Sequence, residues 1–268
     1  MKNVRIAVAG AMGRMGQAVL RLAAADNHFQ IEGALETENH PKLGDNVGLL
    51  LNLPDVEVRL TDRPEEALHS AGVLITFTTP EATVAHARAC ARLKKNIVVG
   101  TTGLSEKDRR VLKDVSQKIG VVVSPNMSVG VNLLFVLTEL AASKLDPAYD
   151  VEITETHHRM KKDAPSGTAL KLAELVADKR GEPLAGVAVY GRHGTTGPRP
   201  RGKIGIHALR GGDVVGEHLL EFIGTGEKLG LSHRATTRDA FASGALLAAR
   251  FVAGKRKGLW TMREVLGF

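Results

Sequence analysis

A single cysteine, Cys90, stands among 268 residues, so no disulfide can form within the chain, and a reducing compartment, the cytoplasm, is expected. Aromatic side chains are scarce: seven Phe, two Tyr and one Trp leave little to stack on nucleic-acid bases. No apolar run approaches the roughly 20 residues that span a bilayer. The opening MKNVRIAVAG goes straight into a strand-like run without the pattern of a signal peptide. These shortages argue against a membrane protein, a secreted disulfide scaffold and a nucleic-acid-binding module. The net charge of +7 is spread along the chain, which points to small anions, phosphates or carboxylates, as partners. One basic patch, GRHGTTGPRPRGK at 191–203, is rich in Gly and Pro. It reads either as a binding loop or as a solvated connection.

What is present is an alternation of short apolar runs and helical periodicity. VRIAVA (4–9) is followed by glycines and then GQAVLRLAAA; further strand-like runs are QIEGALE (30–36), VEVRL (56–60), VLITFT (73–78), NIVVG (96–100) and VVVSP (121–125). Helical segments fall at 81–94 and 105–118. Several of these runs are apolar throughout, as expected of strands with both faces covered, so the first part reads as an α/β, doubly wound parallel sheet. After Asn126 the rhythm changes: helix at 130–145, strand at 149–156, helix at 166–180, then strands at 204–210, 214–223 and 229–235 without helices between. That is the pattern of a second, α+β domain with a mostly antiparallel sheet. The helical tail 238–254, with a further turn at TMREVLGF, is expected to pack back on the first domain. The domains are therefore read as 1–127 with 237–268, and 128–236.

GAMGRMG places Gly10, Gly13 and Gly16 between the first strand and the first helix. Glycines there permit a tight turn and close approach of backbone to a pyrophosphate at the helix start. The spacing, G-x-x-G-x-x-G, departs from G-x-G-x-x-G, but the context is that of a dinucleotide site. Glu36 ends the second strand twenty residues beyond Gly16, placed to accept the hydroxyls of an adenosine ribose. Thr37 follows it, with no arginine beside the carboxylate for a 2′-phosphate. NADH is the favoured cofactor, with NADPH also accepted. FTTP (77–80), GTTG (100–103) and SPNMSVG (124–130) follow later strands, at the edge where open α/β sheets bind ligands.

ETHHRMKKDAPSGTAL, 155–170, brings two histidines, lysines and a helix start together. At the end of a strand His157 and His158 point in opposite directions. Ser166, Gly167 and Thr168 open the next helix, where backbone N–H groups and the helix dipole suit a carboxylate. Beside a nicotinamide, a histidine and a lysine suit reduction of a C=N or C=C bond conjugated to carboxylates. No cysteine or spaced acidic pair completes a metal shell there, so no metal is expected. The alternative is a surface loop with incidental charge.

The runs VAGAMGRMG, FTTPEAT, VVGTTG, SPNMSVGVN, EITETHHRMKKDAPSGTA, VGEHLLEF and HRATTRDAFASGA resemble the dihydrodipicolinate reductase family over essentially the whole length. The resemblance implies a Rossmann-type cofactor domain completed by the C-terminal helices, and a substrate domain whose sheets assemble a homotetramer. It implies NAD(P)H-dependent reduction of a cyclic unsaturated imine dicarboxylate to tetrahydrodipicolinate in lysine and diaminopimelate biosynthesis. His157 would be the acid/base residue and Lys161 a proton donor; His158, Lys161, Ser166, Gly167 and Thr168 would hold the substrate. The cofactor would lie on Gly10, Ala11, Met12, Gly13, Arg14, Met15, Glu36, Gly100, Thr101, Thr102, Ser124, Pro125, Asn126 and Met127. Two departures stand out: Met12 and Thr37 replace a glycine and an arginine of some relatives, the second removing the basis for a strong NADPH preference. Two other classes remain open at this level: a sugar or semialdehyde dehydrogenase, and a non-catalytic NAD(H) sensor. Thioester oxidation of a semialdehyde needs a reactive cysteine, and Cys90 lies in the helical segment 81–94.

Overall fold

A computed structural model describes residues 3–268; Met1 and Lys2, which open the MKNVRIAVAG run, lie outside them. In chain order the elements are β1 (Val4–Ala9), α1 (Arg14–Ala24), β2 (Phe29–Leu35), α2 (Val47–Leu51), β3 (Leu60–Thr61), α3 (Pro64–Ala67), β4 (Val73–Thr76), α4 (Pro80–Leu93), β5 (Asn96–Val99), α5 (Glu106–Ser116) and β6 (Gly120–Val123). Then follow α6 (Val129–Lys144), β7 (Asp150–His157), α7 (Gly167–Lys179), α8 (Leu184–Val187), β8 (Ala188–Tyr190), β9 (Ile204–Arg210), β10 (Gly216–Ile223) and β11 (Lys228–Ala235). The chain closes with α9 (Asp239–Ala253), β12 (Gly258–Trp260) and α10 (Met262–Val265). Two compact units result, residues 1–129 with 238–268, and residues 130–237. No described helix is long and apolar enough to cross a membrane.

In the first unit seven parallel strands run in the order β12-β6-β5-β4-β1-β2-β3. The apolar runs are explained by two cores, one on each face. Ile6, Val8, Val73, Ile75, Val98 and Val122 face α1 and α9, while Ala7, Ala9, Leu74, Ile97, Val99 and Val121 face the side of α4 and α5. Successive strand side chains alternate sides, so a strand buried on both can carry no polar row. The tail does return: β12 pairs with β6, and α9 lies against β4, β5 and β6. The strand expected over 56–60 is the exception. Only Leu60–Thr61 pairs with β2. The residues before it turn off α2, where Asn52 adopts φ 56° and the Leu53 amide donates to Gly48 O at 2.7 Å.

The second unit has five strands in the order β11-β10-β7-β9-β8. The sheet is mixed rather than mostly antiparallel: β10 runs antiparallel to β7 and β11, but β9 is parallel to both β7 and β8. A parallel pair needs a crossover of about a dozen residues or more, and the basic stretch 191–203 is the crossover from β8 to β9. It is fastened rather than loose. Arg199 donates to Asp150 Oδ1 (2.6 Å) and Glu152 Oε1 (2.9 Å), and Arg192 to both Glu152 oxygens (2.8 and 3.2 Å). Burial pushes the Glu152 carboxyl up, but Arg192, His207 and Arg199 together outweigh it and bring the group down to about 2.

Candidate active site

The covered face of the second sheet carries a chemical boundary. Val151, Ile153, Glu155 and His157 share one face of β7, beside Ile204 and Ile206 of β9 and Leu220 and Phe222 of β10. Up to Ile153 the row packs against Leu172, Ala173 and Val176 of α7. The next position is Glu155, whose side chain is fully buried. A charge in that place is tolerable only if paired and hydrogen-bonded, and Glu155 is both. Arg210 binds it in a two-pronged pair (2.8 and 2.9 Å), the Ser166 amide donates to Oε1 at 3.0 Å, and His157 Nδ1 lies 2.5 Å from Oε2. Burial pushes this carboxyl up, yet Arg210, His157 and the Ser166 amide together hold it below the usual carboxylate range.

His157, one strand step beyond, retains 12% exposure of its side chain. Its ring lies over Gly216, where a Cβ would stand 3.0 Å from Nε2. The carboxylate at Nδ1 fixes the tautomer with the proton there, leaving Nε2 as the atom able to exchange protons. Burial lowers the His157 pKa, against the raising effect of Glu155. Lys161 Nζ is held by both oxygens of Asp163 at 2.9 Å. His158 lies just past the end of β7.

Ser166 caps α7, its Oγ accepting the Ala169 amide at 3.2 Å. Here the structure corrects the sequence reading. The Ser166 amide points inward to Glu155, so the groups this helix start leaves uncommitted for an anion are the Ser166 hydroxyl hydrogen and the exposed Gly167 backbone. Thr168 follows in the same turn. Three residues that sequence reasoning passed over complete the group: Glu155, Arg210 and His218, the last with Nε2 at 3.0 Å from Ser166 Oγ. The signal was available, because Glu155 and His218 fall in register with the buried rows Val151–Ile153 and Leu220–Phe222.

In the first unit, Gly10 takes φ +71°, and a Cβ on Gly16 would stand 2.1 Å from Gly10 O. Only a glycine lets α1 start so close to the turn. The turn's amides are largely committed: Gly10 and Ala11 donate to Leu35 O, Gly13 to Gly10 O, and Met12 to Glu36 Oε1 at 2.9 Å. What remains for a phosphate is the start of α1, Arg14 and Met15, where the helix leaves amides without internal acceptors and no side chain caps it. The residues fit a dinucleotide, with Glu36 already oriented by the turn it would serve. Met15, Gly100, Thr101, Thr102, Pro125, Asn126 and Met127 converge on a cleft of about 370 Å³, joined by Phe77, Thr78 and Phe241. Of these, Thr101 spends its hydroxyl on Thr83 (2.6 Å) and the Thr78 amide (3.2 Å), and Met127 is buried. Ser124, outside that lining, donates its hydroxyl to Asn126 O at 2.7 Å. A larger concavity of about 1260 Å³ along β2 and β3 contains none of these loops.

Cys90 is buried, and burial pushes its thiol up to about 12, which removes it as a nucleophile. Among the described residues no group of three or more His, Cys, Asp or Glu is arranged to hold a metal.

The sequence pattern of the dihydrodipicolinate reductase N-terminus matches residues 4–127, and that of the C-terminus matches residues 130–266. The chain is 46% identical to the 4-hydroxy-tetrahydrodipicolinate reductase of Nitrosospira multiformis over 100% of its own length and 99% of the relative's. It is 47% identical to that of Thiobacillus denitrificans, covering 99% of each. Among solved structures, a dipicolinate-bound dihydrodipicolinate reductase from Paenisporosarcina sp. TG-14 superposes with TM-score 0.77 at 28% identity, covering 98% of both chains. With two patterns covering nearly all of it, and relatives of this identity along its full length, the chain belongs to the dihydrodipicolinate reductase family.

Proposed function

We propose that this chain carries out the family's reduction with His157 as acid/base residue and Lys161 as proton donor, while His158, Lys161, Ser166, Gly167 and Thr168 hold the substrate's carboxylates. The activity is 4-hydroxy-tetrahydrodipicolinate reductase, an NAD(P)H-dependent oxidoreduction of lysine and diaminopimelate biosynthesis. The observation that carries the residue assignment is the buried carboxylate of Glu155, which contacts His157, Arg210 and the Ser166 amide at once. One charged group thereby orients the acid/base imidazole and anchors the helix start offered to an anion. Bound NAD(P)H supplies the hydride. The protein's part is to hold the diacid, keep a proton at His157 or Lys161, and deliver it to the atom beside the one reduced. Exchange of Asp163 for a substrate carboxylate at Lys161 would bring a cation to the anion and place the ammonium beside the group it protonates.

Gly10, Ala11, Met12, Gly13, Arg14, Met15 and Glu36 form the proposed adenosine and pyrophosphate end of the cofactor site; Gly100, Thr101, Thr102, Ser124, Pro125, Asn126 and Met127 form the nicotinamide end. Glu36 disfavours a 2′-phosphate by like charge, and Thr37 brings no counter-charge, so NADH is favoured and NADPH accepted. A homotetramer is proposed on the face of the second sheet away from α7, which exposes Leu209 and Ile223 beside the 191–203 strap. Such side chains suit a contact with another copy. The lone thiol of Cys90 suits the cytoplasm.

The test is turnover with NADH and enzymatically generated substrate, followed at the nicotinamide absorbance band. His157→Gln and Lys161→Ala are each expected to lower turnover by about 10² or more with NADH affinity retained. Near-full turnover in either variant refutes that residue's role.

A further inference from the structure

We infer that His218 is a positioning residue for substrate binding, holding the Ser166 hydroxyl so that its hydrogen is donated to a carboxylate of the substrate. The inference rests on the proposal that Ser166 belongs to the substrate site. His218 is 5% exposed and has one partner, Ser166 Oγ, at 3.0 Å from Nε2, while its Nδ1 is buried without a partner among the described residues. A neutral imidazole carries its one hydrogen on either nitrogen. On Nδ1 the hydrogen would be a buried donor with no acceptor, and orphaned N–H groups are rarer and costlier than unused lone pairs. The hydrogen therefore belongs on Nε2, donated to Ser166 Oγ.

The consequence falls on the serine. Its Oγ already accepts the Ala169 amide as the cap of α7. With His218 donating to it as well, both lone pairs are used, and the hydroxyl hydrogen is the one group left for a ligand. With the opposite tautomer the hydroxyl would point at His218 and the helix start would lose that donor. The surroundings keep His218 neutral. Burial is the main cause lowering its pKa to about 4, aided by the positive charge of His157, His233 and Lys161 and opposed by Glu155. The His157 ring meets it edge-on at 5.3 Å between centroids. Second protonation would put a donor on Nδ1 as well, with nothing to receive it.

The test is a double-mutant cycle on the full-length protein, reading substrate KM, kcat, inhibition by pyridine-2,6-dicarboxylate, and NADH affinity. A hydrogen bond to a charged group contributes about 1.5–3 kcal/mol, so Ser166→Ala is expected to raise KM and the inhibition constant about 10-fold or more. His218→Leu is expected to do the same, and the double variant to match Ser166→Ala alone instead of multiplying the two effects. His218→Asn, polar but too short to reach Ser166, behaves like His218→Leu. His218→Gln, whose amide N–H replaces Nε2–H, stays within about 3-fold of wild type. In all of them kcat changes less than KM, and NADH affinity holds. Multiplicative effects in the double variant, or unchanged KM in both His218→Leu and His218→Asn while Ser166→Ala raises it, overturn the inference and leave the site assignment standing. Unchanged KM in Ser166→Ala overturns both.

Discussion

Replacing Glu155 by glutamine keeps the volume and removes the charge. Four donors converge on that carboxylate: two guanidinium nitrogens of Arg210, the Ser166 amide and His157 Nδ1. The amide offers one oxygen to them and turns an NH₂ group toward the rest. Arg210, whose side chain is 21% exposed, then keeps a largely buried charge without its two-pronged partner, with only the more distant Asp163 carboxylate left to offset it. Breaking one partner of a buried pair costs about 3–5 kcal/mol, a large share of the roughly 5–15 kcal/mol that holds a typical protein folded. Turnover falls for a separate reason. An NH₂ group facing His157 Nδ1 favours the tautomer with the hydrogen on Nε2, and the ring loses its orienting carboxylate. Losing an oriented acid/base group costs about 10²–10⁴ in rate. Urea unfolding reads the first effect and steady-state nicotinamide oxidation the second, with NADH binding as the control, because the proposed cofactor residues lie in the other unit. Wild-type turnover, or a stability loss below about 1 kcal/mol, refutes the reasoning.

Three further outcomes are expected. Gly16→Ala puts a Cβ 2.1 Å from Gly10 O, so the start of α1 must move; NADH affinity should drop about 10-fold or more, and an unaltered dissociation constant contradicts the pyrophosphate assignment. Thr37→Arg supplies the missing counter-charge beside Glu36 and should shift the NADPH/NADH ratio of kcat/KM toward NADPH by about 10-fold; an unchanged ratio places the adenosine elsewhere. Stability should fall as pH drops from 6.5 toward 4. His218 stays neutral in the folded state down to about 4 while the unfolded chain protonates from 6.5, a difference of at most about 3 kcal/mol. Glu155, held below the usual range, extends the loss further into acid. Equal urea midpoints at pH 7 and 4.5 contradict it.

What was legible in the sequence is what is local. The strand, glycine turn and helix at 4–24 are contiguous, and so is the segment from His157 to Thr168, so residue type and spacing expose both. The rest of the site is assembled by strand register. Arg210 reaches Glu155 across 55 residues, and His218 reaches Ser166 across 52. In VEITETH, Glu152 and Glu155 look alike, and only the alternation of buried Val151 and Ile153 separates them. Odd numbers run toward α7, so Glu155 enters the site and Glu152 the strap of Arg192 and Arg199. The mixed sheet was missed because strand-like runs without helices between them read as hairpins, whereas 191–203 is a long crossover. The apparent alternation of VEVRL misled because its valines serve a turn against α2. The engaged Ser166 amide depends on a buried carboxylate eleven residues earlier, which helix-start rules do not see.

The most direct measurement is a crystal structure with NADH and pyridine-2,6-dicarboxylate bound together. A carboxylate accepting from the Ser166 hydroxyl and the Gly167 backbone, with the coenzyme's phosphates at the start of α1, is the result expected. A diacid seated away from the start of α7, or a coenzyme whose phosphates miss the start of α1, would contradict it.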